Sequence, residues 1–199
     1  MRCLTECAIR QLHNRSMSLK TTLLLLPLCA CLSSLLAETA IDREILATTM
    51  VQKELPAPDF TCQTSDGRSL TLSALKGKIV VLYFFSAKSL PACVSELIYL
   101  ETEVFQKLRK REDFQLIAIG RDHTREELVK LGGENKLTFP LVPDPQQEIY
   151  ARYFSKFVPR TVMLRKDGTI AYLGSGHHEF EGIIKLQAVL ARELAVKLP

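Results

Sequence analysis

Cys93 is the residue with most reason to do chemistry. It follows the run Phe84-Phe85-Ser86-Ala87-Lys88-Ser89-Leu90-Pro91-Ala92, where an apolar stretch gives way to helix-starting residues. Ser89 is expected to cap that helix, and Pro91 is tolerated in its first turn because a missing N–H costs little there. A thiol in the first turn meets the positive end of the helix, which favours the reactive thiolate. The competing reading is a buried structural cysteine. Of six cysteines, Cys3, Cys7, Cys29 and Cys31 fall in the first 37 residues, and only Cys62 and Cys93 lie beyond. That distribution is not a disulfide scaffold. Cys62, in an apolar hairpin position, reads as core, and sequence cannot settle whether it could bridge Cys93. No Gly-rich phosphate loop, zinc motif or Ser-His-Asp pattern is visible, so no cofactor or metal is expected. The adjacent His177 and His178 read as a solvated loop.

The elements that must position Cys93 alternate between strand and helix. Asp59 to Leu72 reads as a hairpin around Ser65-Asp66-Gly67. Ile79 to Phe85 is a continuous run of β-formers, suited to a fully buried parallel strand. A helix is predicted from Pro91 to Arg111, on the spacing of Leu97, Leu100, Val104 and Leu108. Phe114 to Ile119 is a second buried strand. Thr124 and Glu127 form a capping box that opens a helix, expected to end at Gly132-Gly133. Glu148 to Phe154 is a short helix. Val158 to Leu164 and Thr169 to Leu173 form a hairpin across Lys166-Asp167-Gly168, and Phe180 to Leu198 an amphipathic helix with Phe180, Ile183, Ile184, Leu190 and Leu194 on one face. The pattern predicts an α/β fold with parallel strands at the centre of a mixed sheet and helices on both faces. At such a sheet, ligands sit where the carboxyl end of a central strand meets a helix, which is where Cys93 stands.

Residues 1–37 read as a signal peptide. Positive charge precedes the apolar run of residues 21–37, which is short for a membrane span. Met17 is an alternative start, and cleavage after Ala37 fits. Leu28-Cys29-Ala30-Cys31 is similar to a bacterial lipobox, which would make Cys31 the lipidated first residue. The chain is therefore expected to be exported, either to the periplasm or as a lipid-anchored envelope protein, with membrane association through the leader or lipid. Residues 38–55 read as a linker and 56–199 as the domain. The chain carries a net charge of +4. Four basic residues against one acidic fall in residues 1–37, leaving twenty-two basic against twenty-one acidic beyond. A nearly neutral domain gives no reason to expect a nucleic-acid partner.

From Pro56 to Gly174 the chain resembles the redoxin branch of the thioredoxin superfamily, the AhpC/TSA and TlpA-like proteins. The resemblance rests on Ala57-Pro58-Asp59-Phe60, Asp66-Gly67, Leu75-Lys76-Gly77-Lys78 before Val80 to Phe84, Phe139-Pro140-Leu141 with Asp144-Pro145, and Val158-Pro159 with Lys166-Asp167-Gly168. It implies a thioredoxin-like fold with an N-terminal β-hairpin extension. Pro91-x-Cys93-x-x-Glu96 is similar to the PrxQ type of peroxiredoxin. The peroxiredoxin proline is Ser86 here and its threonine Leu90, and the Cys-x-x-Cys pair of TlpA-like proteins is absent, its first position falling on Leu90 or Ser89 according to whether the alignment runs from Cys93 or from Leu82. Val158-Pro159 resembles the thioredoxin cis-proline site, which implies that Arg160 lies near Cys93, where its charge would lower the thiol pKa. Glu96 either polarises a proton or water beside the cysteine or is an ordinary first-turn acid. The expected site is thus catalytic Cys93, Arg160 and Glu96, with Ser89, Leu90 and Pro159 binding.

Two functions compete. In the first, a thiol-dependent oxidoreductase works through Cys93 alone on a peroxide or disulfide and is reset by an external thiol reductant. In the second, a non-catalytic module binds envelope partners through the cis-proline groove. Copper handling is a third reading, although this chain lacks the two cysteines and the histidine that such chaperones use.

Overall fold

Seven consecutive apolar residues leave strand β3 (Ile79–Phe85) no solvent-facing side, and all seven are buried. The computed structural model describes residues 43–176, 181–196 and 198. The segment expected to be a signal peptide, His177, His178 and Phe180 lie outside them. The chain divides into two units, Met1–Leu46 and Ala47–Pro199. In the first, the described residues 43–46 are helical. The second holds every strand among the described residues.

A two-stranded antiparallel hairpin, β1 (Thr61–Gln63) and β2 (Ser69–Thr71), precedes the main sheet. Leu72, expected to extend the second strand, instead opens a 3₁₀ turn, Leu72–Leu75. The main sheet has five strands in the order β5-β4-β3-β6-β7. These are β4 (Phe114–Arg121), β5 (Leu141–Asp144), β6 (Arg160–Leu164) and β7 (Ile170–Ser175) around β3. β3, β4 and β5 run parallel, and β6 and β7 are antiparallel to their neighbours. β5 was not expected: four residues containing Pro143 carry no periodic signal.

Helix α1 begins at Ala92–Tyr99, widens into a π-helical stretch at Leu100–Phe105 and closes as Gln106–Leu108. Buried Glu101 accepts hydrogen bonds from Thr138 N–H at 2.8 Å and Thr138 Oγ1 at 2.6 Å, tying the π-helical turn to the chain before β5. Helix α2 (Arg125–Asn135) starts at the expected capping box but runs through both glycines to a left-handed Lys136. Gly132 is there for close packing: a Cβ at this position would stand 3.0 Å from Leu141 Cδ1. Helix α3 (Tyr150–Tyr153) is short, and α4 (Glu181–Glu193) ends the fold.

Side chains alternate across β3 into two cores. Val81, Tyr83 and Phe85 pack with Leu97, Leu100 and Val104 of α1, Leu128 of α2, and Ile183, Leu186 and Leu190 of α4. Val80, Leu82 and Phe84 pack with Phe60, Val51, Tyr150, Tyr153 and Phe154. Helices therefore cover both faces, as expected. On α4, Ile184 departs from the predicted apolar face and is exposed.

The predicted linker reaches further into the domain than expected. Met50 N–H donates to Tyr153 O at 2.9 Å, Glu54 N–H to Ile170 O at 2.8 Å and Ala57 N–H to Gly168 O at 3.1 Å. With Val51 buried in the second core, the segment Thr48 to Ala57 is a strap and belongs to the domain.

Candidate active site

The chain leaves β3 at Ser86, which is wholly buried, and turns before entering α1. The turn supplies its own hydrogen bonds. Leu90 N–H donates to Ser86 O at 3.0 Å, and Ser89 N–H to Ser86 Oγ at 3.0 Å. Ser89 is thereby used inside the turn and does not cap α1; the cap position is Pro91, with no side-chain hydrogen bond. Cys93 follows in the first helical turn, its N–H donating to Leu90 O at 3.0 Å.

The Cys93 side chain has no solvent exposure and belongs to the core cluster of Tyr83, Phe85 and Leu97. Burial pushes its thiol up to about 11. The Ser86 and Cys93 amides pull it down, and the Glu96 charge adds to the rise. The expected thiolate-favouring environment is therefore absent in this conformation. Desolvation outweighs the helix end, and no cation among the described residues offsets it.

Arg160 was expected to be that cation and is not. It pairs with Phe84 in the β3–β6 register, and its guanidinium carbon stands 4.2 Å from the Phe154 ring centroid. Its Nη2 donates to Thr49 Oγ1. Phe84 and Phe154 belong to the second core, so Arg160 lies across the sheet from Cys93. A strand's alternation, set by which residue follows the proline, decides the face.

Glu96 does reach the site. It is 6% exposed, and Tyr83 Oη donates to its Oε2 at 2.7 Å. Burial raises its pKa, and the Tyr83 hydrogen bond opposes the rise. No cation pairs with it among the described residues. Pro159 follows a cis peptide bond, as the sequence led us to expect, and is buried. Gly176 N–H donates to Pro159 O at 3.0 Å. A Cβ on Gly176 would stand 2.2 Å from Pro159 Cγ and 3.1 Å from Glu96 Oε1, so only glycine fits between them. The carboxyl thus joins the thiol's surroundings to the cis-proline corner. Leu90, expected to bind substrate, is 37% exposed at the end of the turn before Cys93.

Cys62 is half-buried on β1 and packs against the second core, with its thiol pushed up to about 11 by burial. It lies on the far face of the sheet from Cys93, so no bridge joins them in this fold. No group of three potential metal ligands occurs among the described residues. The sequence reading missed Asp122 and His123. Ser86 Oγ lies 3.1 Å from Asp122 Oδ1, and Ala87 N–H donates to His123 Nε2 at 3.0 Å. A signal existed: β3 and β4 were both expected to be buried parallel strands, and the residues after their carboxyl ends must meet.

A buried thiol at the start of α1, a cis-proline leading into β6 and this sheet order define a thioredoxin-fold redoxin. The chain belongs to the AhpC/TSA family, whose profile matches residues 54–173. It is 30% identical over 132 residues to a chloroplastic peroxiredoxin Q of Oryza sativa subsp. japonica, covering 62% of this chain and 58% of the rice protein. The chain thus spans somewhat over half of that relative. It is 23% identical over 178 residues to the thiol-disulfide oxidoreductase ResA of Bacillus subtilis (strain 168), covering 86% of this chain and 95% of ResA. A solved putative protein disulfide isomerase from Bacteroides thetaiotaomicron superposes with a TM-score of 0.68 at 30% identity, over 74% of this chain and 93% of that one.

Proposed function

We propose that the protein is an exported thiol–disulfide oxidoreductase with Cys93 as its single redox sulfur. One observation carries this reading. A buried carboxyl, Glu96, lies beside a buried thiol and the cis-proline corner, with Tyr83 as its hydrogen-bond donor and no cation partner among the described residues. Burying a carboxyl without a counter-charge is costly, and such groups concentrate where a proton must be moved.

In the proposed cycle a disulfide docks at Leu90 and Pro159, displacing the turn that seals the thiol. Glu96 takes the proton from Cys93 Sγ. The thiolate attacks one sulfur of the substrate disulfide, forming a mixed disulfide and expelling the other sulfur as a thiolate, which recovers the proton from Glu96. One external thiol displaces the substrate's remaining sulfur from Cys93, and a second regenerates the Cys93 thiol. The net change is one disulfide reduced to two thiols and two external thiols joined as a disulfide.

Disulfide exchange fits better than peroxide reduction. Leu90 cannot hydrogen-bond a peroxide where a peroxiredoxin has threonine, and Arg160 is turned to the other face. A thiol pKa of about 11 leaves roughly one thiolate in ten thousand at neutral pH, so slow, substrate-gated turnover is expected. The same sealed thiol favours a second reading, a non-catalytic module that binds envelope partners in this groove.

Reduction of a small-molecule disulfide by the full chain, with dithiothreitol as reductant and the uncatalysed rate subtracted, separates the two. Turnover lost in Cys93→Ser but kept in Cys62→Ser supports the oxidoreductase. Equal rates with and without Cys93 support the module. Export is tested separately by cell fractionation and N-terminal mass analysis. Cleavage after Ala37 or a lipid on Cys31 is expected, and an intact cytoplasmic N-terminus would refute it.

A further inference from the structure

We infer that His123 is a positioning residue whose neutral ring latches the Ser86–Leu90 turn beside Cys93, and whose protonation releases it. The inference concerns the turn and holds whether or not Cys93 turns over substrate.

The geometry fixes the tautomer. A backbone N–H can only donate, so the 3.0 Å contact from Ala87 N makes His123 Nε2 an acceptor. The ring proton then sits on Nδ1. That atom has no hydrogen-bond partner among the described residues and stands 3.6 Å from Glu127 Oε2. The ring is 4% exposed and stacks on Phe85 at 5.5 Å between centroids. It therefore has little freedom to turn away.

Two further ties hold the same turn. Asp122 accepts from Ser86 Oγ, and Lys88 Nζ donates to Asp122 O at 2.9 Å and pairs with Glu127 Oε1 at 2.7 Å. The turn in turn bears on Cys93 at both ends: the Ser86 amide helps draw the thiol pKa down, and Leu90 O accepts from the Cys93 N–H.

A second ring proton would go to Nε2, the one nitrogen with a free lone pair. Two N–H groups would then face each other across the Ala87 contact. The new donor has an acceptor in reach, because Asp122 Oδ1 is 4.0 Å from Nε2. Pairing there competes with Ser86, so two of the three ties fail together.

The charged groups facing the ring are Asp122 before α2, Glu127 on α2 and Lys88 on the turn. Lys130 and Glu134 lie further along α2, at the rim of the same groove of about 250 Å³. Burial is the largest influence and lowers the histidine pKa below its usual value, reinforced by Lys88 and opposed by Asp122 and Glu127. Because the folded pKa is depressed, the latch is intact above the ordinary histidine range and is lost as pH falls through the folded value.

The test is hydrogen exchange at the Ala87 amide in the full chain, wild type against His123→Gln, from pH 7.5 down through the titration of the ring. Gln Oε1 accepts the same hydrogen bond and does not titrate. Each protection factor is taken against the intrinsic exchange rate at that pH. The two proteins are expected to match at pH 7.5, and wild-type protection is expected to fall at least fivefold below the variant once the His123 ring, followed in the same samples by its own NMR titration, is protonated. A parallel fall is expected in neither the buried β3 amides nor the variant. Protection that stays equal in the two proteins while the ring goes from neutral to protonated overturns the inference. So does a wild-type fall at Ala87 matched by an equal fall throughout β3, which would report general unfolding.

Discussion

At the scale of single residues, the decisive contest is between a helix end that favours the Cys93 thiolate and a core that disfavours it. Burial wins, and the Glu96 charge adds to the effect. Glu96→Gln removes that charge, so the pH midpoint of Cys93 alkylation is expected to fall while disulfide exchange slows by about a hundredfold, the usual worth of a lost proton acceptor. A fall in midpoint with undiminished exchange would deny Glu96 its role. Stability follows the same group. The folded-state pKa of Glu96 is raised, so its protonated form favours the fold below the ordinary carboxyl range, and that contribution is lost as pH rises through the folded value. Urea unfolding at a series of pH values is expected to show this loss in wild type and not in Glu96→Gln. Tyr83→Phe takes away the donor to a buried carboxyl, and is expected to cost about 1–3 kcal/mol in the same assay.

Cys93 was legible in the sequence because its position depends on local signals, a buried strand followed by helix starters. Its surroundings were not. Whether Arg160 reaches the sulfur depends on which side of β6 it occupies, and a single residue of register reverses the answer. Ser89 looked like a helix cap because serine serves equally well inside a tight turn, and only the conformation distinguishes the two.

At the scale of elements, β3 and the start of α2 were fully written in the sequence, the first by seven apolar β-formers and the second by Thr124 and Glu127. The capping box is present, with Thr124 Oγ1 accepting from Glu127 N–H and Glu127 Oε2 accepting from Thr124 N–H. Thr124→Ala is expected to cost about 1 kcal/mol in thermal or denaturant unfolding. The end of α2 was misread because Gly132 and Gly133 look like a stop signal. What Gly132 provides is room for Leu141 of β5, a long-range requirement with no local signature. β5 was missed because it depends on β4 for its hydrogen bonds and has no pattern of its own.

At the scale of the whole molecule, one five-stranded sheet separates two cores, with Cys93 in one and Cys62 and Arg160 against the other. This partition keeps Cys62 and Cys93 from resolving each other, so the proposed cycle draws on an external thiol. The strap of Thr48 to Ala57 closes the second core, with its backbone tied at Met50, Glu54 and Ala57. Val51→Ala removes buried apolar surface there, and is expected to lower stability by about 1.5 kcal/mol and to speed amide exchange at Met50 and Glu54. The α/β class and the two-faced helical cover were legible from element order alone. The strap was not, because its mixed composition becomes ordered only against the finished sheet.

The account stands or falls on whether the Cys93 sulfur can exchange with a disulfide in the folded protein. Intact-mass analysis after incubation with glutathione disulfide measures that directly. One glutathione adduct, mapped to Cys93, formed slowly, absent in Cys93→Ser and removed by dithiothreitol, is the predicted result. An unmodified Cys93 that accepts glutathione only once the protein is unfolded in denaturant would contradict it.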